Sequence, residues 1–197
     1  MRLVAERGPD AFTLREVARQ AEVSHAAPYH HFADKAALID ALIELCFARF
    51  ERALRDGVEG AEGDPSDRLV AMGVAYVLFA WEHQSEFQLL NRCKTDPAGD
   101  GAMYGSPIPS ERDSAPQDSP AYGAFQVLLD GLAACQAAGL VRPGDLMPLA
   151  LSAWSVVHGL ATLLIEGPLR RDAVSRPAVE AMARTVTQTL WRGLLVR

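Results

Sequence analysis

A capping box at residues 13–16, Thr-Leu-Arg-Glu, constrains the fold more than any other feature of this sequence. The Thr13 hydroxyl can accept from the Glu16 amide while the Glu16 carboxylate reaches back to the Thr13 amide, so a helix starts at a defined residue. Apolar residues then recur at helical spacing along one face: Leu14, Val17, Ala18 and Ala21. This pattern predicts a short helix with a packed inner side.

A second short helix is predicted directly after this one. Glu22 and Val23 form the turn, and Ser24 is a suitable N-cap for the helix that follows. Pro28 lies in its first turn, where proline costs least, and the helix ends near Phe32. Two short helices joined by so short a turn are the minimum for a helix-turn-helix that docks on DNA.

The rest of the chain also has helical periodicity, and no alternation typical of a strand is present. Asp34 caps a helix over 36–55, and Gly57, Gly60, Gly63 and Pro65 then indicate a break and a domain boundary. Four further helices are predicted, at 67–92, 121–138, 145–166 and 176–195. We therefore expect an all-α protein with two domains. A three-helix DNA-binding domain with a truncated first helix covers 1–56, and a helical bundle for ligand binding and dimerisation covers 57–197.

One segment, 95–120, has the composition of a loop. Sixteen of its 26 residues are Pro, Gly, Ser or Asp. A loop of this length inside a compact domain is usually either disordered or a functional lid, and we favour disorder.

Charge and cysteine content limit the classes of protein to which this chain can belong. The net charge is −6, with eight Lys and Arg against nine Asp and Glu in 1–56, and eleven against sixteen in the remainder. Such a chain is not a general nucleic-acid coat, although a local DNA-binding face is compatible with it. Three widely spaced cysteines and no apolar leader at Met1 indicate a cytoplasmic protein.

Membrane, metal and enzyme functions are not expected. Residues 146–165 carry no formal charge, but the Pro, Ser, His, Gly and Thr among them indicate a helix buried in protein. His30 and Asp34 are spaced like metal ligands, yet no third ligand is near. Gly-rich phosphate loops, nucleophile elbows and zinc-protease motifs are absent, so neither a cofactor nor catalysis is predicted.

The run from Thr13 to Leu38 resembles the DNA-binding signature of the TetR/AcrR family. Its specific part is Tyr29-x-His31-Phe32 followed by Asp34-Lys35-x-x-Leu38. In the C-terminal half, Trp154-x-x-x-His158-Gly159 looks like the motif of the WHG-type regulatory domain. The resemblance implies a homodimer that binds operator DNA and is released by a small-molecule effector.

Family roles carried over by position imply a set of DNA-binding residues. They are Thr13, Arg15, Ser24, His25, Ala26, Tyr29, His30 and Lys35. In this set, Thr13, Tyr29 and Lys35 would contact phosphates, and His25, Ala26 and His30 would face bases. The resemblance also implies core positions for Phe32 and Leu38, and a role for His31 in fixing the recognition helix.

The sequence departs from the family pattern at three points. The opening helix of the family would begin roughly a dozen residues before Met1. Glu22 stands where the family usually has glycine, and a left-handed backbone there costs about 1–2 kcal/mol. The recognition helix has no Arg or Lys for a bidentate guanine contact, so shape and water would carry more of the specificity.

Two further residue sets follow for the C-terminal part. A pocket for a largely apolar effector is predicted from aromatic and core residues: Met72, Tyr76, Trp81, Phe87, Leu90, Phe125, Trp154 and His158. A dimer interface on the last two helices is predicted from apolar residues at helical spacing: Val156, Leu160, Leu163, Leu164, Val179, Val186, Leu190 and Leu194. For His158, effector binding and helix packing against a backbone carbonyl are both open.

A ligand-responsive repressor is the function that these patterns favour. The first alternative is a helical ligand-binding dimer without useful DNA binding, because its first helix is short. The second alternative is a small helical enzyme.

Overall fold

The computed structural model describes residues 1–8, 11–91, 120–172 and 175–194, and over these residues the chain is all-helical, as predicted. The helices in chain order are α1 (Arg2–Arg7), α2 (Leu14–Gln20), α3 (Ala27–His31), α4 (Lys35–Glu59), α5 (Pro65–Glu82), α6 (Gln84–Leu90), α7 (Pro120–Ala137), α8 (Met147–Ile165) and α9 (Arg176–Leu194). A short 3-10 turn at Pro168–Arg171 follows α8. The predicted loop at 95–120 lies outside the described residues except for Pro120, where α7 begins.

The helix-turn-helix forms from the predicted signals. The Thr13 hydroxyl accepts from the Glu16 amide at 3.3 Å, and the Glu16 carboxylate accepts from the Thr13 amide at 2.8 Å. Helix α2 ends in a turn in which Glu22 has φ 55°, and the Val23 amide donates to the Ala18 carbonyl at 3.0 Å. This bond is the Schellman pattern, so Glu22 occupies the left-handed position that usually holds glycine.

Ser24 does not cap the recognition helix, contrary to the prediction. Helix α3 begins at Ala27 with Ala26 at the N-cap and no side-chain cap. The Ser24 carbonyl instead accepts from the Ala27 amide at 3.0 Å, so Ser24 opens a separate turn. A rigid proline, Pro28, lies in the first turn of α3, as predicted.

Helix α4 is longer than the sequence indicated. Asp34 caps it by accepting from the Ala37 amide at 2.8 Å, but the predicted break at Gly57 does not occur and α4 continues to Glu59. A Cβ at Gly57 would lie 2.8 Å from the Cβ of Ala75, so this glycine lets α4 approach α5 closely. The predicted boundary at residue 56 therefore falls inside a continuous helix.

The single helix predicted over 67–92 is two helices. His83 leaves helical geometry at φ −121° and ψ 48°, ending α5 and preceding α6. No Gly or Pro signals this break. The change of direction buries Glu86 and Phe87 of α6 in the molecule.

Helix α5 is the centre of the bundle, and α4, α7, α8 and α9 pack around it. Helix α8 is the one helix among the described residues that is long and apolar enough to cross a membrane. One side of α8 packs into the common core through Ala153, Val157 and Leu160, which favours the interpretation of a buried helix.

We expect Gly73→Ala to lower the free energy of unfolding by about 1–3 kcal/mol, because the added methyl group overpacks the core. A Cβ at Gly73 would lie 2.6 Å from Cγ2 of Thr187 and 3.3 Å from Cγ1 of Val157. Thr187 cannot easily turn away, since it is buried and its hydroxyl donates to the Ala183 carbonyl at 2.8 Å. Urea denaturation measures the change.

The matched control is Gly159→Ala on α8, where a Cβ meets no atom within 4 Å. This change should raise the free energy of unfolding by about 0.5–1 kcal/mol, since alanine favours the helix. Equal stabilisation by both substitutions would contradict the proposed close approach of α5 and α9.

Candidate DNA-binding face and effector cavities

The predicted DNA-binding residues lie on the surface of the helix-turn-helix. Seven of the eight are exposed, and Lys35 is half-buried with its Nζ 4.9 Å from the centre of the Phe12 ring. Tyr29, with 54% of its surface exposed, projects from α3, while Pro28 on the same helix is buried. The outer side of α3 is thus free to enter the major groove of DNA.

A negative charge lies at the start of α2, where Thr13 is predicted to contact a phosphate. Glu16 accepts from the Arg7 guanidinium at 3.0 Å as well as from Thr13. The backbone hydrogen bond from Thr13, more than the pairing with Arg7, lowers the pKa of Glu16. An ionised carboxylate therefore lies beside Thr13, and a phosphate at this helix end has to share the site with it.

His31 does not have the position expected of a residue that fixes the recognition helix. Its side chain is exposed, and its ring lies 6.4 Å from that of Phe32 at a tilted angle. Phe32 is half-buried and packs against the core, and Leu38 is buried, as the family resemblance implied.

The eight predicted effector-binding residues do not line one cavity. Met72, Tyr76, Phe125 and Trp154 line an inner apolar cavity of about 50 Å³ among α4, α5, α7, α8 and α9. This cavity is too small for an ordinary organic ligand, which needs roughly 300–1,000 Å³.

The other four residues lie elsewhere. Phe87 and His158 line an open groove of about 490 Å³ between α1, α6 and α8. Trp81 lines a shallower crevice with Gln84 and Arg170. Leu90 is buried and lines none of these three spaces.

Tyr76, Trp154 and His158 form a polar cluster in the wall between the inner cavity and the groove. Tyr76 Oη lies 2.9 Å from His158 Nδ1, and Trp154 Nε1 donates to Tyr76 Oη at 3.3 Å. Burial raises the pKa of Tyr76 and lowers that of His158, so both groups are neutral at neutral pH. The partner of His158 is therefore a tyrosine hydroxyl rather than the backbone carbonyl considered from the sequence.

An ion pair between the exposed Arg49 and the buried Glu86 connects α4 to α6. Glu86 is 7% exposed, and its Oε1 accepts from Arg49 Nη1 at 2.5 Å, with His83 Nδ1 at 3.8 Å. Glu86 and His83 are three residues apart, so a contact between them is local. Arg49 lies 37 residues away in the chain, so no local signal indicates it.

The predicted dimer residues divide between the core and the surface. Leu160, Leu164 and Val179 are buried within the chain itself, which corrects their assignment to an interface. Leu163 is exposed, whereas Val156, Val186 and Leu190 are half-buried, and the side chain of Leu194 is outside the described residues. The sequence did not single out two exposed apolar residues of α8, Met147 and Leu151. Helix α8 is apolar on both faces, so periodicity could not separate them.

Two cysteines are buried. Cys46 and Cys135 are free, and burial raises the pKa of each to about 11. Neither is a reactive thiolate at neutral pH. Cys93 lies outside the described residues.

We expect Arg49→Met to destabilise the protein by about 1–3 kcal/mol, because it leaves the Glu86 carboxylate buried without its cation. The double variant Arg49→Met, Glu86→Leu should recover most of this loss, since it removes both charges. Urea denaturation of the two single variants and the double variant measures the coupling. Additive single losses would contradict an interaction between Arg49 and Glu86.

Comparison with known proteins agrees with the helix-turn-helix and the helical body. Residues 69–187 match the family described as tetracyclin repressor-like, C-terminal domain, and residues 1–42 match bacterial regulatory proteins, tetR family. The matching C-terminal family is not the WHG type, so that subtype is not confirmed. No curated protein sequence matches the chain.

Solved structures share the fold. A protein with unknown function from Rhodococcus sp. RHA1 is 34% identical, with a TM-score of 0.76 over 99% of this chain and 91% of that chain. The TetR family regulator PfmR from Thermus thermophilus is 19% identical, with a TM-score of 0.67 over 98% and 91%. The fatty acid degradation regulator FadR from Bacillus halodurans is 16% identical, with a TM-score of 0.71 over 98% and 94%. The chain therefore belongs to the TetR family of transcription regulators and carries the DNA-binding helix-turn-helix of that family at its N-terminal end.

Proposed function

We propose that this protein is a cytoplasmic, ligand-responsive repressor that binds operator DNA as a homodimer and is released by a small, largely apolar effector. The observation that carries the proposal is the exposed helix pair, α2 and α3, joined through α4 to a helical body that contains cavities. Helix α4, which follows the recognition helix, thus also lines the inner cavity through Phe50 and Leu54.

Recognition of DNA would rest on modest contacts. His25, Ala26 and His30 are exposed around α3 and would face base edges, while Tyr29 and Lys35 would hold phosphates. Because α3 carries neither Arg nor Lys, much of the specificity would come from DNA shape and bridging water.

Dimerisation would use the outer sides of α8 and α9. Leu163 is 42% exposed and Leu151 47%, so a partner that covered this side of α8 would remove apolar surface from water. An isologous interface of two such helices from each copy gives a four-helix arrangement. Two recognition helices would then reach half-sites about 34–36 Å apart.

Helix α4 would transmit effector binding to DNA. It spans 25 residues, about 38 Å, from Lys35 beside the recognition helix to the core contacts of Phe50 and Leu54. An effector that fits only one position of α4 would shift the dimer away from the DNA-bound arrangement, by no more than its difference in affinity for the two states.

Arg15→Ala tests the DNA-binding face. On a fragment from upstream of the protein's own gene, we expect a weaker affinity and a salt slope reduced by about one per subunit, because one phosphate contact is lost. Fluorescence anisotropy from about 50 to 200 mM salt measures both.

The control for this test is Arg142→Ala, which removes an exposed arginine in the loop between α7 and α8. The two variants therefore have the same net charge. It should leave the salt slope unchanged. Equal effects of the two variants, or no salt-dependent binding by the unaltered chain, would support the alternative of a helical ligand-binding dimer. Turnover of a bound compound would instead support the enzyme alternative.

Leu163→Glu tests the dimer. A charge at this exposed position should shift the protein to the monomer, because a buried carboxylate in the interface would lack a partner. Sedimentation equilibrium gives the mass. Leu45→Glu is the matched control, since Leu45 is another exposed leucine, 55% exposed, and lies on α4, remote from α8 and α9 in the chain. A dimer that survives Leu163→Glu, or is lost equally in Leu45→Glu, would argue against this interface.

A further inference from the structure

The space available to an effector lies outside the bundle core. The inner cavity of about 50 Å³ holds little more than a methyl group or a water molecule, whereas the groove between α1, α6 and α8 has about 490 Å³. Organic ligands bind in spaces of roughly 300–1,000 Å³. The groove accepts such a ligand without opening the core.

Hydrogen bonds among Tyr76, Trp154 and His158, in the wall between the inner cavity and the groove, determine which group His158 presents to the groove. Tyr76 Oη already accepts from Trp154 Nε1, and its own buried hydroxyl proton needs an acceptor. His158 Nδ1, at 2.9 Å, is that acceptor. Neutral imidazole has one N–H, so the proton is on Nε2, and none of the described residues is hydrogen-bonded to Nε2. His158 lines the groove, which gives a ligand there a neutral donor.

The charge of the groove disfavours an anionic ligand. Glu166 is the one charged side chain among the described residues that line it, and its Oε1 accepts from Gln88 Nε2 at 3.0 Å. The other lining groups are neutral, and they include apolar surface from Val4 and Phe87. An anionic ligand would lie near the Glu166 carboxylate and find no cation, so anions are disfavoured.

We propose that the effector binds in this groove, and that it is a molecule without negative charge that has an apolar body and one hydrogen-bond acceptor directed at Nε2 of His158. Val4 lies in α1 and Gly8 caps the end of α1, before the helix-turn-helix, while His158 and Thr162 belong to the regulatory body. A ligand that touches both parts favours one arrangement of the two. This regulatory consequence rests on the proposed function, whereas binding in the groove does not.

Three naphthalene derivatives of similar size test the chemical class by equilibrium dialysis with the full chain. Acetylnaphthalene has a carbonyl acceptor, ethylnaphthalene has none, and naphthoate is an anion. We expect acetylnaphthalene to bind about five-fold more tightly than ethylnaphthalene, as one hydrogen bond provides, and at least about ten-fold more tightly than naphthoate. Equal affinities, a preference for naphthoate, or no binding of any of the three would overturn the proposal.

Two substitutions on neighbouring residues of α6 locate the site. Ser85 lines the groove and Gln84 lines the separate crevice that contains Trp81. Ser85→Phe should weaken acetylnaphthalene binding at least about ten-fold by filling the groove, while Gln84→Phe should change it less than about two-fold. His158→Phe should abolish the preference for acetylnaphthalene over ethylnaphthalene. Unchanged binding to Ser85→Phe, or an equal loss in Gln84→Phe, would place the ligand elsewhere.

Anisotropy on the upstream DNA fragment separates this inference from the proposed function. Release of DNA by acetylnaphthalene from the unaltered chain, but not from Ser85→Phe, would support both. Groove binding without release from DNA that the chain does bind would overturn the effector role and leave the ligand site standing. Release that persists in Ser85→Phe would overturn the groove as the effector site while preserving a ligand-responsive regulator.

Discussion

Burial of α5 is the constraint on which the other helices depend. Ten of its residues are buried, and α4, α7, α8 and α9 each pack against it. A fully buried Leu, Val or Phe contributes about 1.5–3 kcal/mol, so this helix supplies much of the driving force for folding. Close approach on two sides requires the absence of a side chain: Gly73 of α5 faces α9, and Gly57 of α4 faces α5. The position of α4 therefore depends directly on its packing against α5.

Helix α4 connects this core to the DNA-binding face. Its first turn, capped by Asp34, follows the recognition helix, and its later turns carry Phe50 into contact with the rings of Tyr76 and Phe79. Arg49 adds an ion pair to α6 from the same helix. Because Tyr76 also hydrogen-bonds to His158 at the edge of the groove, a short chain of direct contacts joins that edge to α4. Each link is a packed or hydrogen-bonded pair, which is the type of connection that can carry coupling between sites.

The N-terminal part was predictable because its signals are local. The capping box at Thr13, the cap at Asp34 and the Schellman turn at Glu22 each involve residues within six positions of one another. The structure differs from the sequence-based prediction where the packing of helices decides the local conformation. Gly57 suggested a break but serves helix packing, and the chain turns at His83 without Gly or Pro because burial of Phe87 outweighs helix continuity.

The sequence by itself determined the helical class and the helix-turn-helix, since hydrogen bonds over a few residues and apolar periodicity suffice for these. Tertiary structure decided which apolar residues are core and which are surface. Leu160 and Leu163, three positions apart on α8, are buried and exposed respectively. It also decided that Tyr76 meets His158 and that Arg49 meets Glu86, pairs 82 and 37 residues apart. Such contacts depend on how whole helices pack, and no spacing along the chain encodes them.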